Sequence, residues 1–551
     1  MKFVSREWAF ALLLPLAFAA CDDSSGPSFN PPTGVTVTAL SPSSVRVTFT
    51  AVSSATSYIV ERAAGTGTFA QAGTTATTTF DDSGLLPSTS YRYRVAAVKG
   101  TDQTSFSTEA AATTQAPGTV VINADITTSR TLFADTIYTL TGFIHVANGA
   151  TLTIEAGTKI QGDFNVVGSS LFIMRGARIR ALGTADRPIV FTSSRPAGSR
   201  ESGDWGGLIL VGNGIINRAG DIRLEGTDSH PITNPAIIYS NGNNNADSSG
   251  ELHYVRVEFA GYAPVTDAEL NAVTFAAVGS GTAVDHVQVL AGLDDSFEWF
   301  GGAVDAKYLV SYDSGDDHFD MAEGYVGRLQ FLIAYQNRLV TIRQGAGALG
   351  PDPQAIENDG CGSNTGSGCT SGYNSTPFNT PIVANFTLVG RGVLGTGSGD
   401  IGMVVRRGTG GYYVNGIVAR WARAAISVRD AQTQQRITDG DLALRNVLMT
   451  EAPQLYQSGQ QAGVDTTANA LTLMSAATTS LFTALPATPA NADALDWMPS
   501  ATSAARAGGL TTFSGKLQTA AGSFITPTSY RGAVDPNGPK WWQGWTSYTT
   551  N

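Results

Sequence analysis

Two acidic segments carry the residues best suited to chemistry. Asp294-Asp295-Ser296-Phe297-Glu298-Trp299 returns 22 residues later as Asp316-Asp317-His318-Phe319-Asp320-Met321. In extended chain, alternate side chains face opposite ways. Aligned segments therefore turn Phe297, Trp299, Phe319 and Met321 inward and Asp294, Ser296, Glu298, Asp316, His318 and Asp320 outward, with Asp295 and Asp317 near the turns. Carboxylates about 5 Å apart repel by roughly 3 kcal/mol per pair at an effective dielectric near 20. Three remedies are open: raised pKa values, nearby cations, or a bound hard metal. Calcium takes about six to eight oxygens at roughly 2.3–2.6 Å, and Asp294, Glu298, Asp316 and Asp320 are the ligands such a pair of segments would offer it. Lys307, Arg328, Arg338 and Arg343 are near enough in sequence to neutralise the cluster instead. Asp residues that only cap turn amides need neither.

Such segments need a scaffold that repeats. After Gln115-Ala116-Pro117-Gly118 the chain becomes a series of short apolar strands separated by Gly and Asn, without helical periodicity. Thr153-Ile154-Glu155-Ala156-Gly157-Thr158-Lys159-Ile160 recurs 19 residues on as Phe172-Ile173-Met174-Arg175-Gly176-Ala177-Arg178-Ile179. Val284, Val304 and Val326 open strands at offsets of 20 and 22, and Asn385, Asn415 and Asn446 precede strands at offsets of 30 and 31. One short strand per 19 to 31 residues predicts a right-handed parallel β-helix. No coil buries its inner face alone, so coils stack about 4.8 Å apart around a continuous core. Asn385, Asn415 and Asn446 are expected to stack as a ladder, each amide bonding its neighbours. The composition agrees: 62 of 551 residues are Gly and only 14% are charged, against roughly 25% in an average soluble protein.

Residues 32–115 read as one β-sandwich, with alternating strands at Val35–Ala39, Ser44–Phe49, Ser57–Arg62 and Ser90–Val98. Gly84-Leu85-Leu86-Pro87-Ser88-Thr89-Ser90-Tyr91 resembles the corner of a fibronectin type III domain, with Phe49 where that family usually has a core Trp. The resemblance implies a spacer or adhesive unit. Further on, Asn148-Gly149-Ala150-Thr151-Leu152-Thr153-Ile154, Gly183 to Ser193 and Asp204-Trp205-Gly206-Gly207-Leu208 resemble secreted bacterial β-helix lipoproteins. Tyr530-Arg531-Gly532-Ala533 with Trp541, Trp542 and Trp545 resembles their closing segment. The implied all-β fold is a fibronectin type III sandwich followed, over residues 119–551, by a right-handed parallel β-helix with a C-terminal cap, a pectate-lyase-like solenoid. Pectate lyases and polygalacturonases share it. The lyase likeness implies calcium with Arg328 or Arg338 as proton acceptor, and the hydrolase likeness implies acid and base roles for Asp294, Asp316 and Asp317. The Gly-His-Gly and Arg-Ile-Lys motifs of those hydrolases are missing, and fold alone does not license activity.

The first residues supply an address. Lys2 and Arg6 precede an apolar run, Trp8 to Ala20, that ends Phe18-Ala19-Ala20-Cys21. The run is too short to span a bilayer. It resembles a bacterial lipoprotein signal over residues 1–20, with acylated Cys21 opening a flexible tether, residues 21–31. That implies an exported protein, lipid-anchored in the bacterial cell envelope at the outer membrane or cell surface. Cys361 and Cys369 bracket a Gly/Ser-rich loop able to close a disulfide in an oxidising compartment. A net charge of -11 leaves no basic field for nucleic acid. Gly397 to Gly402 fits a dinucleotide spacing, but a strand pattern follows it where a helix is required. His145, His230, His253 and His286 are scattered and read as packing or surface residues. Tyr412, Tyr413, Trp421, Trp541, Trp542 and Trp545 either stack on sugar rings or fill core and cap. The function expected is a membrane-anchored lipoprotein whose β-helix binds an extended extracellular ligand, such as polysaccharide or a surface component. A calcium-dependent polysaccharide lyase or glycoside hydrolase is one alternative, and a structural stalk or adhesin with no small ligand is the other.

Overall fold

The computed structural model describes residues 29–230, 233–265, 268–350, 353–362, 368–395, 397–485 and 494–549. Cys21, the leader and most of the tether lie outside the described residues. The chain forms two compact units, Met1–Ala116 and Pro117–Asn551.

In the first unit, Thr36–Ser41, Ser44–Thr48 and Thr79–Ser83 make one sheet. Ala70–Thr75, Ser57–Ala64, Ser90–Lys99, Asp102–Gln103 and Ala110–Thr113 make the other. Val45, Val47, Val60, Tyr93 and Val95 fill the space between them. The Tyr91 hydroxyl accepts a hydrogen bond from the Leu86 amide at 3.0 Å, which ties down the corner. Phe49 meets Tyr58 edge-on at 4.6 Å.

The second unit is a stack of three-sided coils. Thr151–Ile154, Lys159–Gly162 and Ser170–Ile173 lie one on each face, and Arg178–Leu182 returns to the first. The expectation of one strand per coil is therefore corrected to three. The 19-residue likeness is a corner and not a coil, because Ile154 pairs with Ala181 on one face while Ile173 pairs with Val146 on another. Gly157 and Gly176 explain it: both have positive φ (89° and 80°), so strand, glycine turn and strand recur at two different corners.

From Gly250 onward two faces merge into long strands: Gly250–Glu258, Ala283–Leu290, Asp305–Tyr312, Arg328–Tyr335 and Ile382–Val389, all parallel. Each bends at a residue in the left-handed region: Tyr254, His286, Tyr308, Phe331 and Asn385, with Asn415 and Asn446 in later coils. Asn tolerates that conformation well, which accounts for the three asparagines. Their amides do not bond one another. Asn385 Nδ2 donates to Thr528 Oγ1 (2.8 Å), Asn415 Nδ2 to Leu510 O (3.3 Å) and Asn446 Nδ2 to Gly508 O (2.9 Å). The bend is buried beneath the closing segment, so the amides satisfy that chain instead. Above them, Tyr254, His286, Tyr308 and Phe331 stack at 4.3, 4.5 and 5.0 Å. Trp545 meets this column edge-on, Trp541 leans against it, and Gln288 bonds both the N–H and the C=O of Ser547. The closing segment thus runs back along the flank of the coils. Trp542, Trp545, Tyr412, Tyr413 and Trp421 are all buried, so they serve the core and not a sugar platform.

Inside the coils runs one continuous apolar core that includes Phe297, Trp299, Phe319 and Met321. A second cluster lies outside the third face. There the excursion after Gly207–Val211 lays Ile216, Ile222, Leu224, Ile237 and Tyr239 over Phe172, Ile209, Val211 and Phe300. This roof determines the environment of the acidic repeat.

Candidate metal centre

The third face aligns the acidic segments in register. Phe297 pairs with Phe319 and Glu298 with Asp320, and the next coil adds Glu357 opposite Asp320. The 22-residue repeat is one coil, and the carboxylates of three successive coils form a column. Three overlapping groups have oxygens within 4.8 Å of one another: Asp294 with Asp295 and Asp316, Asp295 with Glu298 and Asp320, and Asp317 with Asp320 and Glu357. Hard carboxylate oxygens at this spacing suit calcium. Asp320 Oδ1 is itself buried without a hydrogen-bond partner among the described residues.

The column faces outward but not into solvent. Asp295, Glu298 and Asp317 are 6%, 5% and 4% exposed, and Asp294, Asp316 and Asp320 are half-buried. Glu225, on the roof, reaches down to share a hydrogen bond with Glu298, and Asn271 Nδ2 donates to both. Burial, then the charge of Asp316, holds the Asp294 carboxyl well above its usual range. Burial, then Asp294 and Asp317, does the same to Asp295. Burial with Glu225 raises Glu298, burial with Asp359 raises Asp320, and burial pushes Glu225 to about 7. Repulsion in the column is thus met partly by protonation.

Some of these acids also cap turns. Asp295 Oδ1 accepts the Asp317 amide at 2.8 Å, Asp317 Oδ1 accepts the Gln354 amide, and Asn271 accepts the Asp295 amide at 3.2 Å. The expected outward placement of Ser296 and His318 is corrected. Both are fully buried: His318 Nδ1 is 2.6 Å from Ser311 Oγ, which bonds Ser296 Oγ at 2.7 Å. They sit where the chain rounds a corner, and the strand's alternation starts only at Phe297 and Phe319. Burial pushes the His318 ring down to about 3, so it is neutral at physiological pH.

The four basic residues expected to neutralise the cluster lie elsewhere. Lys307 sits over Phe524 at 4.6 Å. Arg328 holds Asp305 at 2.9 Å, Arg338 pairs with Asp313 at 3.3 Å, and Arg343 lies over Phe164 at 4.2 Å. The structure therefore brings Asp294, Asp316 and Asp317 together but places Arg328 and Arg338 in separate ion pairs. Among the described residues, Arg406 does reach the column, bridging Glu357 and Asp359, and Arg407 pairs with Asp359.

Residues 124–500 match the family model of the pectate-lyase-like β-helix domain. The chain belongs to that family. Residues 30–113 of this β-helix protein match the fibronectin type III model. Among solved structures, titin kinase with its flanking domains is 30% identical over 15% of this chain and 17% of that one, with a TM-score of 0.15. An Fn3-like protein from Clostridium thermocellum is 32% identical over 16% of this chain and 92% of that one, also at a TM-score of 0.15. The chain thus spans about 17% of the titin kinase chain it matches. No curated protein matches.

In this pectate-lyase-like β-helix, sequence reasoning missed Glu225, Arg406 and Arg407. Glu225 is 73 positions from Glu298 and belongs to no repeat. Arg406 and Arg407 could have been found, since Arg406 ends the strand Ile401–Arg406, which pairs in parallel with Gln354–Asp359, and Arg407 follows it directly. Cys361 and Cys369 are disulfide-bonded, with Cα atoms 5.9 Å apart. Cys361 Sγ lies 3.7 Å from Asn217 O, so the disulfide sits against one end of the roof.

Proposed function

We propose that this chain is an exported, lipid-anchored cell-surface protein whose β-helix, stiffened by calcium, binds an extended ligand such as polysaccharide. The observation that supports the metal is the in-register column of carboxylates from three coils, Glu298, Asp320 and Glu357, flanked by Asp294, Asp295, Asp316 and Asp317 under an apolar roof. Binding is favoured over lyase or hydrolase chemistry because the roof shields the column and Arg328 and Arg338 are engaged with Asp305 and Asp313. An open groove would be needed for a polymer to reach Asp294 and Asp316. Bound calcium would neutralise the column and lock adjacent coils and roof together.

Thermal melts with calcium and with chelator test the metal. Calcium at about 100 times its Kd is expected to add about 2.7 kcal/mol. The double variant Asp294→Asn with Asp316→Asn is expected to melt no lower than the parent in chelator, since repulsion is relieved, and to lose the calcium shift. An absent shift in the parent, or an undiminished one in the variant, overturns the assignment.

A further inference from the structure

We infer that the first coils of the β-helix carry a second, calcium-independent site for a neutral, hydroxyl-rich ring, the sugar unit of a surface glycan; this rests on the ligand reading above but not on the metal. A cavity of about 780 Å³ opens between the outer side of Phe143–Val146 and the far end of the roof at Pro235 to Ile237. Its volume falls within the roughly 300–1,000 Å³ usual for small-molecule sites. Phe143 and His145, two positions apart on one strand, both line it. Each rests a ring against Phe172, at 5.6 and 5.1 Å, so the aromatic floor is fixed before any ligand arrives. Such a floor suits the apolar C–H face of a sugar.

The polar groups select against charge. Asp125 Oδ1 accepts from His145 Nδ1 at 2.9 Å and from the His145 amide at 3.0 Å. That bond uses Nδ1 as the donor and leaves Nε2 for a ligand hydroxyl. The Asn123 and Asn148 amides, both exposed in the lining, supply paired donors and acceptors. Arg175 is the only basic side chain other than His145 in the lining among the described residues. Its guanidinium already donates to the carbonyls of Gly212, Tyr239 and Ser240 at 2.8, 2.6 and 2.9 Å. An anion therefore meets Asp125 without a freely available arginine, and a cation meets a single carboxylate whose Oδ1 is already used. Hydroxyl groups, donors and acceptors at once, match what remains.

The test is saturation-transfer NMR on the full chain with cellohexaose, laminarihexaose and mannohexaose, with polygalacturonate as the anionic comparison, in calcium and in chelator. At least one neutral hexasaccharide is expected to bind equally in both buffers. Phe143→Leu and Asn148→Ala are each expected to weaken it by about tenfold, which is 1.4 kcal/mol. Asn148 is exposed, so its variant remains informative should Phe143→Leu fold poorly. No transfer to any neutral sugar, preference for polygalacturonate, or binding unchanged in both variants overturns the site. A failed calcium shift with sugar binding intact overturns only the metal.

Discussion

At the residue scale, the acidic repeat shows how position in a fold changes what a carboxylate does. Asp295 and Asp317 each use one oxygen on a turn amide. Glu298 and Asp320 stack on adjacent coils, and Glu225 arrives from the roof. A consequence for pH follows from the direction of the shifts. Glu225 is pushed from 4.5 to about 7, and Asp294, Asp295, Glu298 and Asp320 are raised as well. A carboxyl whose folded pKa lies above its unfolded value gives stability that is complete below the unfolded value and lost as pH rises through the folded one. In chelator, the melting temperature is therefore expected to fall between about pH 6.5 and about pH 8; below that range the buried His318 ring, held down to about 3, contributes an opposing rise that ends near its unfolded value of about 6.5. Calcium, by taking over the neutralising role of the protons, is expected to flatten that fall. A melting temperature that climbs across the same window in chelator contradicts the shifts. Asp285 cannot mask the trend: although burial opposes it, hydrogen bonds from His253 and His286 hold its pKa down to about 2, below the window.

At the element scale, the bend residues explain how coils of different length share one axis. Each left-handed residue lets a single strand cover two faces, and the column it creates is then occupied by aromatic rings or by asparagines. The asparagine spacing of 30 and 31 was legible because the bend demands the same conformation in every coil, and Thr387 pairs with Ile417 and Ile417 with Leu448 at those steps. What the amides bind was not legible, because the partners Leu510, Thr528 and Gly508 are 62 to 143 residues distant. Asn415→Ala removes a buried amide whose Oδ1 accepts the Leu510 amide at 2.6 Å. It is expected to cost about 1–3 kcal/mol and to expose the segment around Leu510 to limited proteolysis before the coils unfold. Cleavage within the coils first, with that segment protected, would place its anchorage elsewhere.

At the scale of the whole molecule, the chain joins a small sandwich to one long solenoid, and the proposed anchor precedes both. Cys21→Ser is expected to shift the full protein from the membrane fraction to the soluble fraction of its host, measured by fractionation and by loss of incorporated labelled fatty acid. Membrane retention of the variant would locate the attachment in another part of the chain. The sequence by itself determined the class of each unit, the alternation that buries Phe297, Trp299, Phe319 and Met321, and the one-coil spacing of the acidic repeat. These are readable because they rest on local conformation: turn glycines, period-two burial and a repeat that must match the coil. Only the tertiary structure decided that there are three strands per coil, that the acidic face is roofed, that Arg406 and Arg407 rather than Arg328 and Arg338 reach it, and that His145 and Asp125 meet at a cavity. Each of those depends on where a long loop or a distant coil comes to lie, and a roof segment such as Ile216 to Leu224 carries no mark in its own sequence of the face it will cover.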